Sequence, residues 1–327
     1  MPRVSVIVPC YNEQATIQLL LEAVYSQSYR RDDMEVIIAD GMSTDQTRQR
    51  IVEFQARHPD LALRVVDNPR RNIPAGLNCA IQAAKGEIII RLDAHCMPHT
   101  DYIAGCISAL EQGKGDNVGG VWEIHPGGAG WQARAIAVAA AHPLGVGDAR
   151  YRYTDTPQQV DTVPFGAYHY ALVEKIGLYN EDLMTNEDYE FNVRVRQSGG
   201  TIWLDPAIRS VYFARENYLG LIRQYARYGY WKARMLRRYP RTLRWRQALP
   251  PAFVASLVII ALVTFLFPIF GALFVIELSA YALILLLAGL HSAWKQSDLA
   301  LVPGVPLAIA SMHLAWGSAF LWSIIVR

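Results

Sequence analysis

Several acidic side chains, one of them paired with an imidazole, stand where this chain could do chemistry. Asp40 closes an apolar run and heads the polar segment Gly41-Met-Ser-Thr-Asp45. A carboxylate there can accept the N–H of a heterocyclic base, or it can simply help turn the chain toward a helix capped by Ser43, Thr44 or Asp45. Asp93 and His95 follow the apolar run that ends at Leu92. Two residues apart at the end of a strand, they point to one side, and together they can hold a divalent cation. Asp93 capping the next helix is the competing structural reading. Further on, Glu187, Asp188 and Glu190 crowd three carboxylates into four positions at the opening of a helix. Like charges so close must be compensated by the helix N-terminus, nearby arginines, a metal or a substrate. A first turn that merely complements the helix dipole is the plainer alternative.

These groups need a frame. Residues 3 to 124 alternate β-branched runs with amphipathic stretches of helical length, the pattern of a parallel sheet covered by helices. Strands are expected at Arg3 to Val8, Glu35 to Ala39, Leu63 to Val66, Glu87 to Leu92 and Val118 to Glu123. Helices are expected at Glu13 to Gln27, Asp45 to Arg57, Pro74 to Lys85 and Thr100 to Gln112. Pro74 suits a first helical turn and Gly86 a left-handed stop. The segment Pro9-Cys-Tyr11-Asn-Glu13 then falls at the carboxyl edge of the sheet, where open α/β folds bind ligands. Residues 125 to 217 are less regular.

The C-terminal third changes character. Between Tyr218 and Arg246 nine Arg or Lys residues are interleaved with Tyr and Trp, as in a basic interfacial helix. From Pro250 to Leu290 Glu277 is the single ionisable residue, enough apolar chain for two membrane-crossing helices broken near Pro268 to Gly271. A third apolar stretch, Leu299 to Val326, carries Pro303-Gly304 and Pro306 and reads as a span or a re-entrant segment. The positive-inside rule puts the globular part in the cytosol, and no cleavable signal precedes its first strand. The domains expected are residues 1–217 (catalytic), 218–249 (interfacial) and 250–327 (membrane). The 327 residues carry a formal charge of only +2, with the basic residues gathered in the interfacial stretch, so no nucleic-acid partner is expected. Four cysteines without CxxC pairs exclude a zinc knuckle or a secreted disulfide framework.

In order and spacing, Val4 to Glu13, Asp40 to Asp45, Asp93-Ala-His95, Asn186-Glu-Asp188 and Gln224-Tyr-Ala-Arg227-Tyr228 resemble the inverting family 2 glycosyltransferases with the GT-A fold, a Rossmann-like, mainly parallel sheet flanked by helices. The Asp-Ala-His variant and hydrophobic tail are similar to the bacterial succinoglycan-type enzymes. The resemblance covers roughly residues 3 to 232 and implies a nucleotide-sugar site. Asp40 would contact the base, with Pro9, Tyr11 and Glu13 lining the pocket. Asp93 and His95 would bind Mg²⁺ or Mn²⁺ against the donor diphosphate. Since His95 replaces a second carboxylate, the preference shifts toward Mn²⁺. Asp188 would be the general base and Glu187 its partner. Gln224 and Arg227, with Lys232, would close on the diphosphate, and Tyr228 in place of the motif's Trp argues against a processive polymerase. Phe165, Gly166 and Ala167 would line the acceptor side.

The activity so implied moves a hexose from a nucleotide-diphosphate sugar, expected to be a UDP-sugar, to a hydroxyl of a polyprenyl-linked saccharide. It would act at the cytoplasmic membrane, in contact with membrane lipids and with other polysaccharide-assembly enzymes as partners, in exopolysaccharide or cell-surface glycan synthesis. Two rivals remain open: a polyprenyl-phosphate sugar synthase and a non-catalytic nucleotide-binding subunit. A dinucleotide oxidoreductase is excluded, since no GxGxxG turn follows the first strand.

Overall fold

The computed structural model describes residues 1–326. They form two compact units, one of residues 1–123 with 150–212, the other of residues 124–149 with the chain from Phe213 on. Residues 124–149, which the sequence groups with the catalytic segment, cluster with the C-terminal helices.

The first unit is a sheet with helices. Its strands are β1 (Val4–Cys10), β2 (Met34–Asp40), β3 (Ala62–Asp67), β4 (Ile88–Arg91), β5 (Met97–Pro98), β6 (Asn117–His125), β7 (Gln158–Gln159), β8 (Ala167–His169) and β9 (Ile202–Phe213). Its helices are α1 (Ile17–Tyr25), α2 (Thr47–Arg57), α3 (Ile73–Ala83), α4 (Tyr102–Glu111), α7 (Tyr170–Ile176) and α8 (Glu187–Gln197). The strand order is β3-β2-β1-β4-β8-β6-β9-β5, with β7 paired to β9. The first four strands in that order are parallel, and β8 runs antiparallel to β4. The expected α/β sheet with its parallel first-half strands is therefore present, and the later strands make the sheet as a whole mixed.

Period-two alternation builds the two cores. Val4, Val6 and Val8 point to one face with Val36, Ile38, Ile88 and Ile90, while Ile7, Ile37 and Ile89 point to the other. Two expectations need correction. The segment Phe165-Gly-Ala167, expected to line the acceptor side, leads into β8, which inserts between β4 and β6. Gly86 is not a left-handed stop: α3 ends at Ala83, and a Cβ at Gly86 would lie 2.7 Å from the Ser5 nitrogen, so close strand approach is what demands glycine. Pro74 does sit in the first turn of α3, where Asn72 caps by accepting from the Ala75 N–H at 2.8 Å.

The second unit is helical: α5 (Trp131–Ala141), α6 (Pro143–Val146), α9 (Tyr218–Arg238), α10 (Trp245–Leu266), α11 (Gly271–Gln296) and α12 (Leu301–Ile325). Asn217 caps α9 by accepting from the Gly220 N–H at 2.9 Å. Three helical segments, Trp245–Leu266, Pro268–Gln296 and Leu301–Ile325, are long and apolar enough to cross a membrane. The last is one continuous helix, with Pro303 near its start, where a missing N–H costs least.

Close packing between β6 and β9 yields a test of the first unit. A Cβ at Gly120 would lie 1.9 Å from the Ile208 carbonyl oxygen, and no rotamer relieves a clash with backbone. Gly120→Ala is expected to cost at least about 1–3 kcal/mol, read as a lower unfolding midpoint in detergent, whereas Gly113→Ala, which meets no neighbouring atom, should cost only its left-handed backbone strain.

Candidate active site

The parallel strands bring their carboxyl ends to one edge, and the candidate residues gather there in three groups. In the first, register pairs Cys10 with Asp40 and Asp40 with Asp67. Asp40 is fully buried and accepts from the Ser43 N–H at 3.0 Å, from the Ser43 hydroxyl and from Arg48 Nε. The Arg48 guanidinium also reaches Asp67, so one cation ties two strand-terminal carboxylates. A base approaching Asp40 must therefore replace one of these donors. Ser43 serves this turn and the Asn12 N–H (2.9 Å) rather than capping α2, where Asp45 accepts from the Thr47 N–H at 3.0 Å. Asn12 takes the left-handed φ of 53° that lets the β1 and β2 loops zip together. Tyr11 is exposed and would be pushed by any side chain at Gly41, while Pro9 is half-buried.

In the second group Glu13 Oε1 lies 3.1 Å from His95 Nδ1. Burial alone would raise the Glu13 carboxyl, but the hydrogen bonds from His95 and Thr16 outweigh it and hold it below its usual range. The bond also fixes the imidazole ring, as an orienting carboxylate does for a metal-binding histidine.

The third group centres on a residue the sequence reading passed over. Arg91, the last residue of β4, is 4% exposed. Its Nη2 donates to Asp93 Oδ1 at 3.2 Å and to Glu187 Oε1 at 2.9 Å. Its Nη1 is buried without a hydrogen-bond partner. A signal was present: a guanidinium closing Ile88-Ile-Ile must find carboxylates if the strand is buried. Asp93 caps no helix, since α4 begins at Tyr102 and the Asp93 carboxylate is held by Arg91.

The carboxylate crowding on α8 is relieved by two arginines. Glu190 takes two hydrogen bonds from Arg194, each 2.9 Å, and Glu187 pairs with Arg91. Burial nevertheless pushes Glu187 up to about 7, with Arg91 opposing and Asp188 adding to the rise. Asp188 is raised too, chiefly by burial, although Arg91 and the Tyr189 N–H, 2.7 Å away, pull it down. Asn186 opens the helix at a left-handed φ of 66°.

Other expected residues lie elsewhere. Phe165 and Ala167 are core residues, 2% and 0% exposed, so their side chains cannot line an acceptor surface. Gly166 contributes its carbonyl, which accepts from the Arg91 N–H at 3.0 Å. Gln224, Arg227 and Lys232 belong to the second unit. There Gln224 Nε2 donates to the Tyr228 hydroxyl at 2.9 Å, Arg227 is exposed, and Lys232 is fully buried with Nζ 3.8 Å from Met235 Sδ.

Among the described residues no cluster of three or more His, Cys, Asp or Glu is arranged to hold a metal. Asp93 and His95, 23% and 46% exposed at the side chain, offer one oxygen-donor and one nitrogen-donor group. That set fits a cation whose remaining ligands are substrate oxygens and water, the usual arrangement where phosphates share the ion.

Residues 5–177 match Glycosyl transferase family 2. The chain belongs to this family of sugar-transferring enzymes. It is 28% identical over 320 residues to the succinoglycan biosynthesis protein ExoA of Rhizobium meliloti (strain 1021), covering 96% of this chain and 93% of that one. It is also 28% identical over 248 residues to a Methanococcus voltae dolichyl N-acetyl-alpha-D-glucosaminyl phosphate 3-beta-D-2,3-diacetamido-2,3-dideoxy-beta-D-glucuronosyltransferase, covering 74% and 76%. Among solved structures it resembles the Pyrobaculum calidifontis mannosyltransferase PcManGT, crystallised with GDP-Man and Mn²⁺, at a TM-score of 0.63 and 23% identity over 98% of this chain and 87% of that one. The fold is that of the GT-A glycosyltransferases.

Two outcomes test this geometry. Arg91→Gln leaves Glu187 and Asp93 without their buried partner and should lower stability by roughly 3–5 kcal/mol, measured by denaturant titration, with Arg91→Lys recovering part of it. Glu187 binds its proton more tightly folded than unfolded, so its stabilising contribution is largest below its ordinary value and is lost as pH rises toward about 7. Glu187→Gln should flatten the dependence of Tm on pH between about 4.5 and 7; an unchanged slope would show that Glu187 is ionised throughout.

Proposed function

We propose that this chain is an inverting hexosyltransferase that uses a nucleotide-diphosphate sugar, with UDP-sugar the first candidate, to extend a saccharide carried on a polyprenyl lipid at the cytosolic face of the cytoplasmic membrane. The observation that carries the reading is the convergence of Asp93, Glu187 and Asp188 on the buried Arg91, at the sheet edge that also bears Asp40. The two relatives support the acceptor class, since one is named for a dolichyl-linked sugar and the other for succinoglycan biosynthesis. Crowding of arginines just before α10 supports the cytosolic placement.

In the proposed reaction Asp188 accepts the proton of an acceptor hydroxyl as that oxygen forms a bond to the anomeric carbon. The bond from that carbon to the diphosphate oxygen breaks, and its electron pair leaves with the nucleoside diphosphate. A single displacement inverts the carbon and needs no covalent enzyme intermediate. A raised carboxyl suits the task, because a base works best when its pKa approaches the working pH. Glu187, held by Arg91, orients Asp188 and the acceptor. Asp40 takes the base, with Pro9, Tyr11 and Glu13 beside it. Asp93 and His95 would hold Mg²⁺ or Mn²⁺, which would supply charge to stabilise the departing diphosphate. For Gln224, Arg227 and Lys232 the diphosphate role rests on the family motif alone.

Purified enzyme screened against UDP- and GDP-sugars, with each cation and a polyprenyl-diphosphate saccharide acceptor, tests the reading. Asp188→Asn should lose roughly 10²- to 10⁴-fold in kcat with little change in donor binding. Near-full activity in this variant would remove the proposed base. A product bearing one sugar on a lipid monophosphate would instead identify a polyprenyl-phosphate sugar synthase.

A further inference from the structure

Apolar length makes α10, α11 and α12 alike, but the neighbours of α12 set it apart. Helix α9 runs beside α12 in the same direction and in constant register. Tyr218 Oη donates to the Gly304 carbonyl at 3.1 Å and Arg237 Nη2 to the Ser323 carbonyl at 2.6 Å, both pairs 86 residues apart in sequence. Midway between them a Cβ at Gly229 would lie 2.3 Å from the Trp316 carbonyl oxygen, so the two backbones touch there. From Tyr218 to Arg237 a helix advances about 29 Å, close to the ~30 Å thickness of the hydrocarbon core.

If α12 crossed that core, α9 would cross with it. Arg223 and Arg227 on α9 are exposed, and Arg227, whose proposed diphosphate role also needs water about it, would stand near the middle of the crossing, too deep for its stem to reach either headgroup layer. Ionised arginines facing lipid at that depth are costly and rare. The same helix exposes Leu219 and Ile222, a mixture of arginine and aliphatic side chains that fits the headgroup boundary. Further contacts tie α12 to non-membrane segments: His313 Nε2 lies 2.9 Å from the Leu144 carbonyl of α6, and a Cβ at Gly304 would lie 2.6 Å from Ala135 Cβ of α5.

The α10–α11 pair differs. Ser256 bonds to Glu277 and Phe253 stacks near Tyr281, with ring centroids 4.3 Å apart, so the two helices form an antiparallel hairpin. Toward its tip Phe265 and Ile269 are 89% and 81% exposed, and no charged residue lies between Leu257 and Ile276. We infer that the α10–α11 hairpin alone enters the bilayer, while α9 and α12 lie side by side along its headgroup surface. Both ends of α12 are then on the side of the membrane that carries the first unit. This rests on the membrane attachment proposed above, and it replaces three crossings with one hairpin.

Sidedness of single cysteines decides the matter. In full-length protein carrying Cys79→Ser and reconstituted in sealed phosphatidylethanolamine–phosphatidylglycerol vesicles, Lys114→Cys marks the side of the first unit. Ser318→Cys, exposed near the end of α12, should react with a membrane-impermeant maleimide from that same side and to a similar extent. Reaction only from the opposite side, or from neither, overturns the inference. A nitroxide scan from Leu314 to Ile325 gives a second readout that does not hang on one variant. A surface helix yields water-relaxer accessibility that oscillates with the helical period at constant mean depth, whereas a steady change of depth along the scan would mean a span. Carbonate extraction separates the two proposals: a chain washed off the vesicles defeats the membrane attachment itself, whereas a retained chain with far-side Ser318→Cys defeats only the placement of α12.

Discussion

A guanidinium sealed beneath the sheet edge sets the electrostatics of the first unit's strand ends. Arg91 reaches Asp93 with one arm and Glu187 with the same nitrogen, and Asp188 lies close enough to feel its charge. Carboxylates this near one another in a poorly solvated place would not all ionise without a cation among them. With Arg91 counted once against three carboxylates, the group retains two negative charges when fully ionised. That residue of charge is what a proton on Glu187 and a divalent ion near Asp93 can each relieve. Asp93 and Asp188 are thus not independent: whatever neutralises one changes the field at the other. A cation held at Asp93 would leave more of the Arg91 charge to favour the ionised form of Glu187.

The strand ends at Asp40 and Asp67 use the same device, with a more exposed guanidinium. Arg48 joins Asp40 to Asp67 across two neighbouring strands, and Asp40 has no exposed surface. A ligand that hydrogen-bonds Asp40 must supply a donor at least as good as the one it displaces, which selects for bases that present an N–H. The carboxylate is already aimed by Ser43, and binding there would exchange one hydrogen-bond donor for another.

Much of this was legible in the chain because it follows from alternation and strand ends. Buried parallel strands announce themselves as β-branched runs, and each candidate carboxylate of the first half follows such a run. What escaped reading did so for identifiable reasons. In Ile202-Trp-Leu-Asp-Pro-Ala-Ile-Arg-Ser-Val-Tyr-Phe213 the pair Asp205-Pro206 looks like a break, yet Ile202, Leu204, Pro206, Ile208, Ser210 and Tyr212 alternate inward along one strand. Strand β8 is only three residues long, and the glycine before it suggests a turn. The pairing of Arg91 with Glu187 was hidden because a partner 96 residues away cannot be inferred from local pattern. Phe165 and Ala167 look like loop residues until the sheet that buries them is known.

Hydropathy has a similar blind spot at the C-terminal end. It scores a segment against lipid as though the segment were alone, while the cost of insertion belongs to everything that moves with it. Helix α12 is apolar on nearly every side, and by composition it is a span. In the placement inferred above its length is spent instead on α9, where Gly229 lets the backbones approach, with a Cβ at Gly229 falling 2.3 Å from the Trp316 carbonyl oxygen. Arg237 donates to the last carbonyls of α12, at Ser323 and Val326, satisfying acceptors that a helix end in lipid would leave bare. An arginine-bearing helix locked in register along an apolar one makes the pair a single amphipathic body, and a body of that kind is stable where water and lipid meet, with the hairpin as its anchor.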